Sequence, residues 1–319
     1  MGNFFVMIVL LSIFGAPVAT PAAAQPGRFF FSGDGNIQLI GEKNGEAFSG
    51  RYRTAEGDYD TAALAAIGRV FGAPFGAGYS KMSLRLVEYL DYLQDRLNPE
   101  GRITIVSGYR SPVYNTRIRQ QGALAAKASL HQYGMAADLV LEGVPSKTVW
   151  ETVQELSFGG AGYYHGKTVH VDTGPARSWD ETSSGVGTGL ADDNKLIGLV
   201  TDFDIYRPGD AVILRFIRMT AFPIAVQQEF LLQRKTPEGD METVASFIPS
   251  FSVPAEGACP SFSDIAEMAS IQFHLPENLE PGSYSVSARF CPTPWTEMPE
   301  EVSTPEFVVA GPEQIPEER

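Results

Sequence analysis

A polar segment past the middle of the chain constrains what the chain can fold into. Asp180 to Asp193 reads DETSSGVGTGLADD, and a segment this rich in glycine, serine and carboxylates is typical of a linker between domains. Before it, helix-like and strand-like periodicities alternate, whereas after it only short strand-like runs separated by turns remain. With 319 residues the chain is long enough for two domains, and the change of pattern predicts that they differ in class.

Residues 25–180 are predicted to form an α+β domain built on a small mixed sheet, because helices and strands are interspersed and at least one hairpin is expected. Ser80–Asn98 shows leucines at steps of four and three, which line one apolar face of a helix. Ser146–Leu156 shows a similar pattern, with Ser146 as its N-cap. Near the start, RFFF (28–31) and NIQLI (36–40) are expected to pair as a hairpin.

Residues 199–310 are predicted to form an all-β, immunoglobulin-like sandwich, because strand-like runs recur at even spacing with turns such as RPGD and EPGS between them. Residues 181–198 are then the linker and 311–319 a disordered tail. Cys259 and Cys291 both lie in this second domain. They are predicted to form one disulfide in an oxidising compartment, with two separate buried thiols as the alternative.

The N-terminus indicates export. Residues 1–24 combine an apolar run at 4–14 with three alanines at 22–24, which is the pattern of a cleaved secretory signal. The apolar run is too short to span a bilayer, so no membrane span is expected after cleavage. Neither lysine nor arginine precedes Arg28, and an N-terminal membrane anchor is therefore the alternative. The predicted location is the periplasm or the cell envelope.

The net charge of −14 is concentrated in the second half of the chain. Residues 200–319 carry 19 acidic and 7 basic side chains, whereas residues 1–199 carry 19 and 17. Neither half has the net basic charge typical of proteins that bind nucleic acids, so no nucleic-acid partner is expected. The acidic half is interpreted as a soluble, self-repelling surface, and both a protein partner and a purely structural role stay open for this domain.

The segment SLHQYGMAAD, from Ser129 to Asp138, joins a histidine and an aspartate seven residues apart. On a regular helix these two positions lie about 10.5 Å apart along the axis, whereas two ligands of one zinc ion must come within roughly 3.5 Å of each other. A metal site here therefore requires a turn at Gly134 followed by a strand that begins near Asp138. His170, in the strand-like stretch TVHVDTG, is the natural third ligand, and Asp172 shares its strand face.

Three segments carry, in this order, a resemblance to a known family: SGYRSPVYNTRIR, SLHQYGMAADLVLEGV and GGAGYYHGKTVHVDTGPARSW. Over about residues 58–180 they are similar to the YcbK-like branch of the zinc D-alanyl-D-alanine peptidases, a superfamily that also includes vancomycin-resistance dipeptidases and murein endopeptidases. The resemblance implies that His131, Asp138 and His170 bind Zn²⁺, the same three residues that the spacing favours. It also implies that the metal acidifies a water molecule and polarises the scissile carbonyl.

Three further site residues are expected, and the resemblance implies the first of them. Arg110, at the end of SGYR, is expected to face the site and to stabilise a developing oxyanion or a substrate carboxylate, with a surface arginine after a turn as the alternative. Ser129 is expected to bind substrate or to support a ligand, with a loop-capping hydroxyl as the alternative. Tyr109 is expected to line the cleft, with a packed aromatic side chain as the simpler interpretation.

The chain departs from the wider superfamily at the proton acceptor. Many members carry a carboxylate three residues before the last zinc histidine, and this chain has Lys167 there, which is a poor base at neutral pH. His165 is favoured as the proton-transfer or transition-state residue in its place, with a loop histidine in a turn as the alternative. Asp172 is expected either to activate water or, as we favour, to orient a ligand.

These features predict an exported, zinc-dependent peptidoglycan peptidase that hydrolyses stem-peptide or cross-link amide bonds, which is the activity of a murein endopeptidase. A D,D-carboxypeptidase that removes a terminal D-amino acid is the first alternative, because exo- or endo-specificity depends on the shape of the cleft. A catalytically inactive module that binds the wall is the second, and Lys167 is its only support. Peptidoglycan stem peptides are the expected partner.

Overall fold

The computed structural model describes residues 27–54, 57–76, 79–122, 125, 129–182, 196–219, 224–251, 259–262, 271–292 and 299–311. The expected signal at 1–24, positions 183–195 of the expected linker and the tail from 312 lie outside these residues. Two regions with separate apolar cores are present: an α/β region up to residue 182 and a β-rich region from residue 196. None of the described helices is long and apolar enough to cross a bilayer.

The α/β region is built on a seven-stranded mixed sheet. Its strands, in spatial order, are β2 (Ala47–Arg51), β1 (Asn36–Gly41), β5 (Ile103–Ser107), β6 (Ala136–Leu141), β8 (Val169–Asp172), β7 (Gly160–Tyr163) and β9 (Arg177–Asp180). β1 pairs with β5 and β7 pairs with β9 in parallel, and the other neighbours are antiparallel. A separate pair consists of β3 (Phe75–Gly76) and β4 (Tyr79–Ser80). The mixed sheet is confirmed, and it is larger than the small sheet expected.

Three of the four described helices of this region pack on one apolar core. The described residues form α1 (Thr61–Val70), α2 (Leu84–Leu97), α3 (Pro112–Gln120) and α4 (Ser146–Leu156), of which α1, α2 and α4 pack on this core. The leucine face predicted for α2 is buried in the core, and this burial, rather than helix propensity alone, stabilises the helix. α4 has the predicted bounds, but Ser146 is its first residue and Pro145 holds the cap position, so the predicted cap was wrong.

The hairpin expected from RFFF and NIQLI does not form. β1 pairs with β2 instead, and Arg28–Phe31 is not a strand. The ring of Phe31 packs on Tyr89 of α2. The carbonyl of Arg28 accepts a hydrogen bond from the Asp204 amide in the β-rich region (2.9 Å). This apolar segment is therefore used for long-range contacts, which a local strand pattern does not reveal.

All described elements from residue 196 onward are β-strands. One sheet has the order β10 (Leu196–Thr201), β12 (Ala211–Met219), β17 (Ile271–His274) and β15 (Ser250–Phe251). The second has the order β11 (Ile205–Tyr206), β20 (Phe307–Val309), β18 (Gly282–Phe290), β13 (Ile224–Lys235) and β14 (Met241–Phe247). Two short strands extend it, β16 (Ser261–Phe262) on β13 and β19 (Glu301–Ser303) on β18. Side chains from both sheets meet in one core.

The disulfide predicted in the β-rich region is confirmed. Cys259 precedes β16, Cys291 follows β18, and their sulfur atoms are bonded. The strand β10 begins at Leu196, inside the segment expected to be linker. The disulfide joins two loops of the β-rich region, in agreement with the position of both cysteines in one part of the sequence.

A buried acidic side chain, that of Asp91 on α2, faces the loop before β1. Asp91 is fully buried, and its Oδ2 accepts hydrogen bonds from the Tyr52 hydroxyl (2.7 Å) and the Gly35 amide (2.9 Å). Its Oδ1 has no hydrogen-bond partner among the described residues. Burial raises the pKa of Asp91 to about 7, although both hydrogen bonds act against this shift.

The raised pKa of Asp91 predicts a pH-dependent stability. The folded protein holds this proton more tightly than the unfolded chain, in which the pKa is about 4. The stabilising contribution of the protonated group is therefore full below pH 4 and lost as the pH rises from about 4 to 7. Asp91→Asn stays neutral at every pH, so we expect its free energy of unfolding to exceed that of wild type by about 1 to 4 kcal/mol at pH 8. At pH 4, where Asp91 is itself protonated in the folded protein, we expect no such advantage. Urea unfolding at both pH values measures this; equal differences at the two pH values would contradict it.

Candidate metal centre

His131 lies on a four-residue 3₁₀ turn, Leu130–Tyr133, hereafter the His131 turn. The Ser129 hydroxyl accepts a hydrogen bond from the His131 amide (3.4 Å), and Gly134 ends the turn with a φ of 65°. A Cβ atom at Gly134 would lie 1.6 Å from the Lys81 carbonyl oxygen, so only glycine fits this position. Strand β6 then starts at Ala136. The prediction of a turn at Gly134 followed by a strand is confirmed.

The sheet places the other two candidate ligands side by side. Asp138 on β6 lies directly opposite His170 on β8 in an antiparallel pair, where facing Cβ atoms are about 4.5–5.5 Å apart. His131, Asp138 and His170 are all buried. Their candidate ligand atoms lie within 4.8 Å of one another, so the structure brings the three predicted residues together.

One ring nitrogen of each histidine is held by a fixed partner. His131 Nδ1 lies 2.8 Å from the Gly108 carbonyl oxygen. Because a carbonyl only accepts, Nδ1 carries the proton, and Nε2 faces Asp138 Oδ1 at 3.4 Å. His170 Nε2 lies 2.9 Å from Asp172 Oδ2, and its Nδ1 lies 2.9 Å from Asp138 Oδ1. One nitrogen of each ring therefore points to the same carboxylate oxygen.

Asp172 is a fully buried carboxylate, and both of its oxygens accept hydrogen bonds. Arg177 donates to Oδ1 from Nη1 (3.0 Å) and to Oδ2 from Nη2 (2.7 Å). The amides of Gly160 and Gly174 donate to Oδ1, at 3.0 and 2.9 Å. Burial alone would raise the pKa of Asp172, but Arg177 and His170 hold it well below its usual range. Asp172 is therefore an ionised partner of His170.

Burial and charge act in opposite directions on the three candidate ligands. Burial lowers the pKa of His131, and the attraction of Asp138 does not overcome it. Burial would raise the pKa of Asp138, but His131 and His170 hold it well below its usual range. Burial also opposes the charged form of His170, but hydrogen bonds with Asp138 and Asp172 outweigh it and raise the pKa. The Asp138 carboxylate is therefore ionised.

Two further side chains fix this carboxylate. Arg110 Nη2 donates to Asp138 Oδ2 (2.7 Å) and Arg110 Nε donates to Ser107 Oγ (2.9 Å), so the guanidinium faces the cluster. The Tyr164 hydroxyl donates to Asp138 Oδ1 (3.2 Å). Burial and the charge of Asp138 raise the pKa of Tyr164, which keeps this hydroxyl protonated. The Arg110 amide also donates to the His131 carbonyl (3.1 Å), which joins the two loops.

The other predicted residues are not part of the three-residue cluster. Ser129 caps the His131 turn, which was its alternative role. Tyr109 lines a pocket of about 310 Å³ beside the loop that carries Arg110. His165 is exposed in the turn between β7 and β8, where its ring packs 4.5 Å from that of Tyr163. Lys167 is exposed in the same turn.

Sequence reasoning missed four contributors to the site: the Gly108 carbonyl, Tyr164, Arg177 and Trp179. The Trp179 ring packs 5.0 Å from that of His170. Arg177 and Trp179 lie on β9, the edge strand that runs parallel to β7, and they reach the site because of this strand order. All four residues lie inside the segments that carry the family resemblance, which was the signal available for them.

Comparison with known proteins finds relatives over the part of the chain that contains the cluster. Residues 34–179 match the model of an M15 peptidase family described as peptidoglycan L,D-endopeptidase MepK. The peptidoglycan L,D-endopeptidase MepK of Escherichia coli strain K12 is 37% identical over 95 residues, which are 30% of this chain and 52% of that protein. The probable peptidoglycan L,D-endopeptidase MepK of Haemophilus influenzae is 34% identical over 137 residues, which are 42% of this chain and 73% of that protein.

The matched segments define how far the likeness extends. This chain spans about half the length of the Escherichia coli relative and nearly three quarters of the Haemophilus one. The crystal structure of the sporulation control protein Spo0M from Bacillus subtilis aligns with 35% of this chain and 47% of that one at 11% identity, and its TM-score of 0.21 supports no statement about fold. The family segment includes every residue of the cluster. The chain therefore belongs to the M15 peptidase family described as peptidoglycan L,D-endopeptidase MepK.

Proposed function

We propose that the chain is a zinc-dependent peptidoglycan peptidase, a murein endopeptidase that hydrolyses stem-peptide or cross-link amide bonds. The observation that carries this proposal is the convergence of His131, Asp138 and His170 beside the Arg110 guanidinium, in a chain of a peptidase family. The relatives are named L,D-endopeptidases, so we propose that the bond cleaved joins an L- and a D-residue.

The donor set suits zinc. Two imidazole nitrogens and one carboxylate oxygen are ligands that catalytic zinc sites use, and three protein ligands leave a position for water or substrate. The hydrogen bond of His131 Nδ1 to the Gly108 carbonyl leaves Nε2 for the metal, and that of His170 Nε2 to Asp172 leaves Nδ1. A zinc ion held here supplies Lewis-acid chemistry, which acidifies water and polarises a carbonyl.

Arg110 supplies a fixed positive charge at the edge of the cluster. Its side chain is 13% exposed, and its hydrogen bonds to Asp138 and Ser107 use two of its five N–H donors. A guanidinium stays charged at every relevant pH, and its planar donors suit an oxyanion or a carboxylate. We assign the remaining donors to the carbonyl oxygen of the cleaved bond or to a substrate carboxylate.

We assign Asp172 to orienting His170 rather than to accepting a proton. Both of its oxygens accept hydrogen bonds from Arg177, His170 or backbone amides, and its low pKa makes it a weak base. His165 stays our proposed proton-transfer residue. Imidazole is the most common general acid–base group in enzymes, and the exposed turn between β7 and β8 leaves this ring open to a substrate.

The orienting role of Asp172 predicts an effect on metal affinity. Asp172→Asn removes the charge that holds the His170 ring and leaves the Arg177 guanidinium without its anionic partner. We expect zinc affinity to fall about 10- to 100-fold, measured by competition with a chromophoric chelator. Asp240→Asn, which changes an exposed aspartate of the β-rich region, is expected to bind zinc like wild type. Unchanged affinity in Asp172→Asn would remove the orienting role.

The function is tested by digesting purified peptidoglycan with the mature chain, with and without a chelator, and identifying the products by mass spectrometry. We expect stoichiometric zinc, chelator-sensitive digestion, and fragments cut within the peptide cross-links. Release of a terminal D-amino acid alone would indicate a D,D-carboxypeptidase instead. Wall binding without any new fragment would indicate the inactive module and would contradict the proposed function.

We also propose that the chain is exported to the periplasm or cell envelope, where a disulfide such as Cys259–Cys291 persists. The division into two domains within residues 181–198 is a proposal as well. Two packed sheets around one core are features of an immunoglobulin-like sandwich, and we propose this topology for the β-rich region. Its net acidic composition suits a partner with a basic surface.

A further inference from the structure

The four-stranded sheet of the β-rich region is buried on both faces where β10 and β12 pair. Along β12, Val212, Leu214 and Phe216 point into the core of that region, and Ile217 points to the opposite side. Along β10, Leu199 points into the core and its neighbour Val200 points to the opposite side. An antiparallel sheet commonly leaves one face to water. Here Val200 and Ile217, on the second face, are nearly or fully buried, so something apolar covers this part of the sheet.

The covering residues belong to the His131 turn and the start of β6. Val200 and Ile217 form one buried cluster with Leu130, Tyr133, Met135 and Ala136. Leu130 immediately precedes His131 in the chain. Arg215, also on β12, donates from Nη1 to the Tyr133 carbonyl (3.4 Å). The β-rich region therefore contacts the turn directly on both sides of the candidate ligand.

A turn of this kind needs such support. A four-residue 3₁₀ turn has poorer hydrogen-bond geometry than an α-helix and is held by few bonds of its own. A metal ligand must stay within about 0.5 Å of its productive position, and neighbouring packing provides that restraint. Without Val200 and Ile217, the apolar side chains of Leu130 and Tyr133 would lose the surface that buries them.

We infer that the outer face of the β10–β12 sheet is a positioning surface for the His131 turn, so that Ile217 and Val200 set the metal affinity of His131 without touching the metal. The metal part of this inference rests on the proposed function; the positioning of the turn does not. It gives the β-rich region a role in the site itself, besides any role in binding a partner.

The test compares two isoleucines of the same sheet in the full chain. Ile217 faces the His131 turn, whereas Ile271 on β17 faces the core of the β-rich region, and both are completely buried. Ile217→Ala and Ile271→Ala are therefore expected to lower the melting temperature to a similar extent. We expect Ile217→Ala alone to weaken Zn²⁺ affinity, by about 10-fold. Competition with a chromophoric chelator, well below both melting temperatures, measures the affinity.

A second measurement makes the outcome independent of the metal. In the metal-free protein, hydrogen exchange of the peptide that spans residues 129–136 is expected to be faster in Ile217→Ala than in wild type, and unchanged in Ile271→Ala. Equal exchange or equal zinc affinity in the two variants would overturn the inference. If wild type took up no zinc, the proposed function would fail, and the exchange comparison alone would decide whether the sheet positions the turn.

Discussion

Replacing Asp138 with asparagine is expected to weaken zinc binding by more than about 100-fold, the upper end of the range for residues that only support a ligand, and to stop peptidoglycan digestion. Asparagine has nearly the same size but carries no charge. Arg110, His131 and His170 surround this carboxylate, with atoms 2.7 to 3.4 Å from its oxygens. Without it, a fixed positive charge would face a metal cation with no anion between them.

Zinc content after dialysis, chelator competition and digestion of purified peptidoglycan measure the effect of Asp138→Asn. Circular dichroism checks that the variant is folded. Asp58→Asn is a matched control, because it makes the same substitution at an exposed aspartate outside the cluster. Wild-type zinc affinity in Asp138→Asn would show that Asp138 is not a ligand. Loss of zinc with normal digestion would show that the reaction does not need the metal.

Much of the candidate site was predictable because its constraints are local. The seven-residue separation of His131 and Asp138 excludes a regular helix, and a glycine at 134 allows the left-handed residue that a turn requires. The alternation of TVHVDTG puts His170 and Asp172 on one strand face. Neither statement needs knowledge of the rest of the fold, and the structure has both features.

The partners of these residues were not predictable in the same way. The acceptor for His131 Nδ1 is a backbone carbonyl 23 residues earlier in the chain, on the loop after β5. A carbonyl has no signature in the residue type, so only the pairing of β5 with β6 brings it into place. Arg177 reaches Asp172 because β9 pairs in parallel with β7, a strand order that periodicity does not determine.

The fold shows the same contrast between features set by local sequence and features set by long-range contacts. α4 was predicted to the residue because its apolar face repeats within one helix. RFFF was misjudged, because three consecutive phenylalanines fit a buried strand and an irregular segment between two regions equally well. Phe29 packs on Phe203 at 5.4 Å, and Phe31 packs on α2, so the segment is used by two cores at once. The contact between the regions left no local pattern in the sequence.

Arg85→Met is expected to lower the free energy of unfolding by about 3 to 5 kcal/mol, because it leaves a buried carboxylate without its counter-ion. Arg85 Nη2 lies 2.6 Å from Asp204 Oδ1, 119 residues away in the β-rich region, and their side chains are 6% and 7% exposed. Asp204 also accepts a hydrogen bond from the Phe30 amide (3.1 Å), which remains in the variant but carries no charge that could balance the carboxylate. Urea unfolding, followed by fluorescence, measures the loss.

Two comparisons separate the buried charge from a simple loss of contacts. Arg234→Met breaks an ion pair of similar length, 2.7 Å to Glu280, on the surface, where we expect little change because water screens both charges. The double variant Arg85→Met with Asp204→Leu removes both charges at once, and we expect it to recover most of the stability lost by Arg85→Met. If it were as unstable as Arg85→Met, the contact between the two regions would depend on packing around Arg85 rather than on its charge. If it recovered, the ion pair would add little net stability, and apolar contacts such as the buried cluster beside the His131 turn would supply the attraction between the regions.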